Sequence, residues 1–375
     1  MSTLIDMDNV DQARPRADGL ENVVAAETRL SDVDGERGRL VIAGRSVEEL
    51  AGRASFEDVL HLLWFGRDPT DAERGRTREA LGDAREEAFA RLPELGDALA
   101  MPDGMDALRA AVSHLGARVG EPAFAEALRI AGAIAVFAAA WARQGSPIRP
   151  DARLAHAADY LRMASGHDAS TARTAAMDAY LVTVCDHGMN ASTFAARVVA
   201  STASDTVSAV VAAIGALKGK LHGGAPGPVL DMLDAVGDAS NARPWLEAAL
   251  ARGERVMGMG HRVYRVRDPR AFVLERALAA LERGDAANHG SRLALARAVE
   301  REAEALLAAR HPDRPLKANV EFYTATLLEA VGLPRTLFTP TFAVSRVAGW
   351  CAHVDEQRRF GRLIRPQSRY VDAKA

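Results

Sequence analysis

Apolar positions along the chain fall mostly at helical spacing. Leu60, Leu63 and Trp64 continue a stripe behind Ser55, and Glu57 and Asp58 supply acids to what would be the first turn. Asp68-Pro69 is expected to end this helix. Leu295, Ala298, Val299, Ala305 and Leu306 mark one face of a second, otherwise charged helix that should stop at His311-Pro312. Residues 124–142 are rich in alanine and apolar almost all round, the pattern of a helix buried on every side. Alternation at period two is rare. Only residues 23–26 and 39–43 read as short extended pieces, on either side of the turn pair Asp34-Gly35. Residues 1–19 are polar and aperiodic, as in a loose leader. The pattern therefore predicts an all-α protein with at most a small N-terminal β-hairpin.

Length adds a division. A chain of 375 residues can bury a large core and usually splits into two domains. Its composition, 48% hydrophobic and 26% charged, is that of an ordinary globular protein. A net charge of −3 excludes the broad basic field of a nucleic-acid binder, so any bound anion has to be met by locally placed Arg or His. Cys185 and Cys351 form no disulfide framework and no zinc spacing, which fits a reducing cytoplasm. The acidic N-terminus lacks a signal-peptide pattern. The apolar run at 130–142 is shorter than the roughly 20 residues a bilayer needs. A cytoplasmic protein with no membrane partner is expected.

Pro and Gly cluster around 219–228, 258–269, 314–319 and 339–340, each time beside His, Arg or a carboxylate. His187, His222 and His261 all stand next to glycine, which lets backbone approach a ligand closely. No two histidines are three or four apart on a helix, so no metal site is expected. Gly258-x-Gly260 lacks the third glycine of a dinucleotide fingerprint and has no parallel-sheet pattern around it. Arg265, Arg267 and Arg270 follow His261 and could clamp carboxylate or phosphate, or simply be solvated at a helix start. Glu321, between Asn319-Val320 and Phe322-Tyr323, could be a partly desolvated base or a helix-start acid. Arg346 sits in an apolar helix, where a buried cation requires an anionic partner.

Taken together, these segments closely resemble the citrate synthase family. Leu-His-Gly-Gly-Ala at 221–225, Gly-Met-Gly-His-Arg-Val-Tyr at 258–264 with Asp268-Pro269-Arg270, and Asn-Val-Glu-Phe-Tyr at 319–323 follow that family's three active-site segments in order. The stretch 337–350 resembles its long C-terminal helix, and 19–40 resembles the start of the shorter bacterial forms. The likeness covers nearly the whole chain. It implies an almost all-helical homodimer, with a large domain (1–222 plus 328–375) and a small domain inserted at 223–327 that closes over the cleft.

The resemblance also implies roles. His222 would hydrogen-bond the thioester carbonyl of an acyl-CoA, Glu321 would remove the methyl proton, and His261 would polarise the oxo group and protonate the new alkoxide. His187, Arg270 and Arg346 would grip oxaloacetate, with Arg365 donated by the other subunit. Arg265 and Arg314 would meet coenzyme A phosphates. No cofactor is implied, acetyl-CoA being a substrate, and the absence of a regulatory N-terminal extension implies no dedicated NADH site.

Two positions depart from the family pattern. Glu321 stands where aspartate is usual, and Pro226 stands where many relatives have asparagine. Propionyl-CoA is the alternative acyl donor, since one methylene is worth only about 1–3 kcal/mol to a pocket. A catalytically weak regulatory paralogue is the alternative of another class, with Glu321 as the sign of it.

Overall fold

The hairpin forms, but from different residues on one side. In the computed structural model, which describes residues 19–20, 23–223, 226–284, 291–313 and 316–370, β1 (Ser31–Asp34) pairs antiparallel with β2 (Arg39–Ile42). The register sets Asp34 opposite Arg39, so Asp34-Gly35 opens a four-residue connection instead of forming a two-residue turn. Residues 23–26 are not a strand: Val23 and Val24 are exposed, while Leu30, Leu40 and Ile42 point inward. Burial of those three selects the register that a count of apolar residues had assigned to the wrong segment. β3 (Arg45–Ser46) completes the sheet in the order β1-β2-β3. The leader at 1–18 lies outside the described residues.

The remaining elements are helical. α1 (Val47–Leu50) and α2 (Phe56–Phe65) each begin with a reciprocal capping box, Ser46 with Glu49 and Ser55 with Asp58. α2 ends at Gly66, three residues before the expected Pro69, because Gly66 takes the left-handed conformation (φ 68°) and closes the last turn. α3 (Asp71–Ala90), α4 (Gly104–Ser113) and α5 (Ala123–Ala142) follow. Next come α6 (His156–Ser165), α7 (Thr171–Val184), α8 (Ala191–Ser201) and α9 (Thr206–Leu217). α10 (Pro226–Val236), α11 (Ala242–Ala251), α12 (Pro269–Gly284) and α13 (Ser291–Arg310) lead to α14 (Val320–Ala330) and α15 (Phe338–Phe360).

Helix α5 has 20 residues and is long and apolar enough to cross a membrane by length and composition. The expectation of a stretch too short for a bilayer rested on 130–142 alone, and the helix begins earlier. Its sides are nevertheless taken up by α3, α4, α6 and α15, and nearly every residue from Ala127 to Trp141 is buried. This is the behaviour of a core helix. Arg129 lies inside it with its charge met by Glu121 at 2.8 Å.

Helix α15 positions the site. It is buried from Phe338 to Val354 with few exceptions and touches α2, α5, α7, α8 and α9. At Gly349 the helix meets the loop between α7 and α8 so closely that a Cβ would lie 2.5 Å from the Cys185 carbonyl oxygen and 2.7 Å from Asp186 Oδ1. The Gly349 N–H donates to that same carbonyl at 3.2 Å. Both cysteines are buried and free.

Candidate active site

Three irregular stretches and two helices bring the polar groups together. The first is the loop between α7 and α8, carrying His187. Asp186 beside it is fully buried, accepts from the Ser31 hydroxyl of β1, and accepts from His353 Nε2 of α15 at 3.2 Å. Ser31 Oγ in turn receives the Gly188 N–H at 2.9 Å. His353 Nδ1 accepts from Arg197 Nε at 2.9 Å, and Arg197 is held by Gln357 and Glu356. The sheet, α8 and α15 thus pin the His187 loop from three sides.

The second stretch, 258–268, carries His261. Its Nδ1 accepts the backbone N–H groups of Val263 (3.0 Å) and Tyr264 (3.1 Å). A nitrogen that accepts twice is unprotonated, so the neutral ring bears its hydrogen on Nε2, which lies 3.3 Å from Arg270 Nη2. Arg270, at the start of α12, is gripped by Asp268 through Nε (3.0 Å) and Nη2 (2.8 Å). The same carboxylate accepts the Val320 N–H at 3.1 Å and so ties Arg270 to the start of α14. The β1–β2 connection reaches this stretch as well: the Arg265 N–H donates to the Gly35 carbonyl at 3.0 Å. A Cβ at Gly35 would lie 2.3 Å from the Val263 oxygen.

His222 stands just after α9. Its Nε2 is 2.8 Å from Ser192 Oγ, which also accepts from the indole of Trp350 at 3.1 Å and donates to Asn190 Oδ1 at 2.8 Å. While the hydroxyl hydrogen goes to Asn190, His222 donates from Nε2; when it turns to His222, the neutral ring carries its proton on Nδ1.

Glu321 occupies the first turn of α14, capped by Asn319, whose Oδ1 accepts the Glu321 N–H at 3.0 Å. Its carboxylate makes no hydrogen bond among the described residues. Burial pushes its pKa up to about 7, against the pull of Arg270, with help from Asp268 and against Arg346. Arg346 is 1% exposed, donates through Nε to the Val184 carbonyl at 2.6 Å and stacks on Phe342 at 4.7 Å. Among the described residues no carboxylate lies within ion-pair distance of it. Burial lowers its pKa to about 10, so it stays charged at neutral pH. Burial chiefly, then Arg346, holds His222 at about 4, and burial with Arg270 does the same to His261. His187 is pushed well below the usual imidazole range by burial, Arg270 and Arg346. The site is therefore a set of neutral imidazoles between two buried guanidiniums, beside a carboxyl that ionises near neutrality.

Six of the residues expected from the sequence converge in this way: His187, His222, His261, Arg270, Glu321 and Arg346. Arg270 and Arg346 act electrostatically on His187, His222 and Glu321 alike, which places these groups close to one another. Arg365 lies apart, exposed on the chain that follows α15. Arg265 is exposed, facing Glu36 at 4.0 Å. Arg314 and the Gly224-Ala225 end of the 221–225 segment lie outside the described residues. α10 begins at Pro226, where a missing N–H removes only a donor that a first helical turn leaves unpaired.

Sequence reasoning missed Tyr264, Asp268, Ser192, Trp350 and Asp186 as supports. The first two lie inside a segment already singled out, and Asp186 adjoins His187. Ser192 and Trp350 carry no local signal, being distant in sequence and meeting only on folding. Among the described residues no three His, Cys, Asp or Glu are grouped so as to hold a metal ion.

Comparison with known proteins bears directly on this arrangement. Residues 19–367 match the family model described as citrate synthase, C-terminal domain. The chain is 41% identical to the citrate synthase of Haloferax volcanii over 95% of its length and 96% of that protein's. It is 39% identical to the 2-methylcitrate synthase of Mycobacterium tuberculosis, covering 96% and 92%. Its structure superimposes on citrate synthase from Thermoplasma acidophilum, solved as a ternary complex with carboxymethyl coenzyme A and oxaloacetate, with a TM-score of 0.83, 28% identity and coverage of 94% and 95%. A helical fold, a cluster of neutral histidines and buried arginines, and end-to-end similarity agree: the chain belongs to the citrate synthase family and is a transferase of that type.

Proposed function

We propose that the protein condenses acetyl-CoA with oxaloacetate and water, releasing citrate and coenzyme A through an enol and a citryl-CoA thioester. The observation that carries this reading is Arg346, a buried guanidinium without a carboxylate partner among the described residues, beside Arg270 and three neutral imidazoles. Such a cluster calls for an anionic ligand with a polar carbonyl, and oxaloacetate has two carboxylates and a ketone. Arg270, Arg346 and His187 hold it, and Arg365 reaches the same site from the second subunit of a homodimer.

The chemistry follows from the proton placements. Glu321 Oε takes a proton from the acyl methyl carbon while His222, protonated on Nδ1 when Ser192 donates to Nε2, hydrogen-bonds the thioester oxygen as negative charge moves onto it. The enol carbon bonds to the oxo carbon, and His261 Nε2–H supplies the proton to the developing alkoxide. Water then cleaves the thioester, and coenzyme A leaves as the thiol. Both imidazoles act as neutral donors, which suits a site where two guanidiniums already oppose further positive charge. Residues 223–327 form the smaller domain that closes over the cleft, and Arg265 and Arg314 meet coenzyme A phosphates.

Propionyl-CoA is the second reading, supported by the similarity to a 2-methylcitrate synthase. The test is coenzyme A release by the purified protein with oxaloacetate, comparing acetyl-CoA and propionyl-CoA as kcat/KM. A higher value for acetyl-CoA supports the first reading, a higher value for propionyl-CoA replaces it, and release with neither refutes both.

A further inference from the structure

We infer that Tyr264 is a positioning residue that sets the proton placement of both His187 and His261, so that each presents an N–H to the 2-oxo acid. The identity of that ligand rests on the functional reading above. The placement itself rests on contacts within the protein.

Tyr264 is 2% exposed and lies between the two imidazoles, its ring 5.6 Å from that of His187 and 4.8 Å from that of His261. A buried phenol needs a hydrogen-bond partner. Among the described residues the one partner of its hydroxyl is His187 Nε2, at 3.0 Å. Two arrangements are open. If His187 donated from Nε2, the phenolic hydrogen would be buried without an acceptor, which is the costly choice. If Tyr264 donates, its hydrogen is satisfied and His187 Nε2 is the acceptor. A neutral ring then carries its own hydrogen on Nδ1, an atom with no protein partner among the described residues. That N–H is left over for a ligand oxygen.

The main chain of the same residue acts on the second ring. The Tyr264 and Val263 N–H groups hold the lone pair of His261 Nδ1, which leaves the hydrogen on Nε2. This Nε2–H faces an Arg270 N–H at 3.3 Å. Two donors that point at one another have no bond between them, and both are satisfied once a single oxygen sits within reach of each. One tyrosine thus fixes opposite tautomers, Nδ1–H on His187 through its hydroxyl and Nε2–H on His261 through its amide. The amide contribution survives any side chain. The hydroxyl contribution does not, and it can be removed with one atom by Tyr264→Phe.

Two measurements test this on the full-length protein. Nitrogen-15 spectra of histidine-labelled, ligand-free wild type, with His187 assigned by its loss in His187→Gln, should show a protonated Nδ1 and an unprotonated Nε2. In Tyr264→Phe the His187 pattern should shift toward protonation at Nε2, while His261 stays unchanged. By calorimetry, oxaloacetate should bind Tyr264→Phe about tenfold more weakly, the scale of one lost buried hydrogen bond. KM for the acyl-CoA should stay within about twofold, and the thermal midpoint should stay close to that of wild type. A His187 protonated on Nε2 in wild type overturns the inference, as does unchanged oxaloacetate affinity in Tyr264→Phe. Failure of wild type to bind oxaloacetate would instead refute the functional reading, and the ligand-free spectra would still decide the proton placement.

Discussion

Glu321 makes the acid side of the pH–rate profile a direct test of the proposed mechanism. Burial lifts its carboxyl from the ordinary 4.5 to about 7. A raised carboxyl pKa means that the base is protonated, and inactive, below that value. At pH 6 roughly one molecule in ten would hold the ionised base and at pH 5 roughly one in a hundred, so kcat/KM should fall about tenfold per unit below pH 7 and level off above it. Glu321→Gln keeps the shape and removes the base, and should lower kcat by about 10² to 10⁴ while flattening the acid limb. Glu321→Asp keeps a carboxylate but draws it back by about 1.5 Å, one C–C bond. Misplacement by about 1 Å can cost roughly 100-fold, so the aspartate variant should be slower by about that factor in a pocket built around glutamate, with its acid limb retained. The assay is thiol release from the acyl-CoA between pH 5 and 8.5 at constant ionic strength, with stability checked at each pH. An acid limb in Glu321→Gln identical to that of wild type would refute the assignment of the base, and so would a wild-type profile flat down to pH 5.

Other consequences reach beyond the reacting groups. Asp178, half-buried beside Glu57 and accepting the Phe56 N–H at 3.0 Å, is pushed up to about 7 by burial and then by the Glu57 charge. A pKa raised on folding gives stability that is present below the unfolded value of 3.8 and lost as pH rises to about 7. Asp178→Asn should therefore raise stability at pH 8 by on the order of 2–4 kcal/mol and change little at pH 4, as read by denaturant unfolding; equal effects at both would refute it. Gly349→Ala would drive a methyl into the Cys185 carbonyl and Asp186. It should destabilise by about 1–3 kcal/mol and raise KM for oxaloacetate by displacing the His187 loop, and unchanged values of both would count against that contact. If Arg365 serves the neighbouring subunit, mixing and reassembling inactive Arg365→Ala and Glu321→Gln subunits should restore roughly a quarter of wild-type activity, since half the dimers then hold one complete site. No recovery in verified mixed dimers would remove that role.

Much of the protein was legible in its sequence because the signals are local. Helical periodicity, the cap at Ser55, and the ordered segments around His222, His261 and Glu321 each depend on residues within a few positions of one another, where spacing maps directly onto geometry. Two local readings failed where competition was not local. The strand assigned to 23–26 lost to Ser31–Asp34 because burial of Leu30 against the core, which no short window contains, selected the register. The buried helix expected at 124–142 formed as Ala123–Ala142, but its length judged from 130–142 alone fell short, because its first turn is partly exposed and only the later ones are enclosed on all sides. The state of the site is a further step removed. That Glu321 ionises near neutrality, that Arg346 has no carboxylate partner among the described residues, and which nitrogen of each histidine holds its proton follow from burial and from partners more than 150 residues apart, Ser31 with Asp186 (155) and Ser192 with Trp350 (158). Sequence names the groups that can do chemistry; dielectric and hydrogen-bond geometry, which exist only once the chain has folded, assign each its charge and its direction.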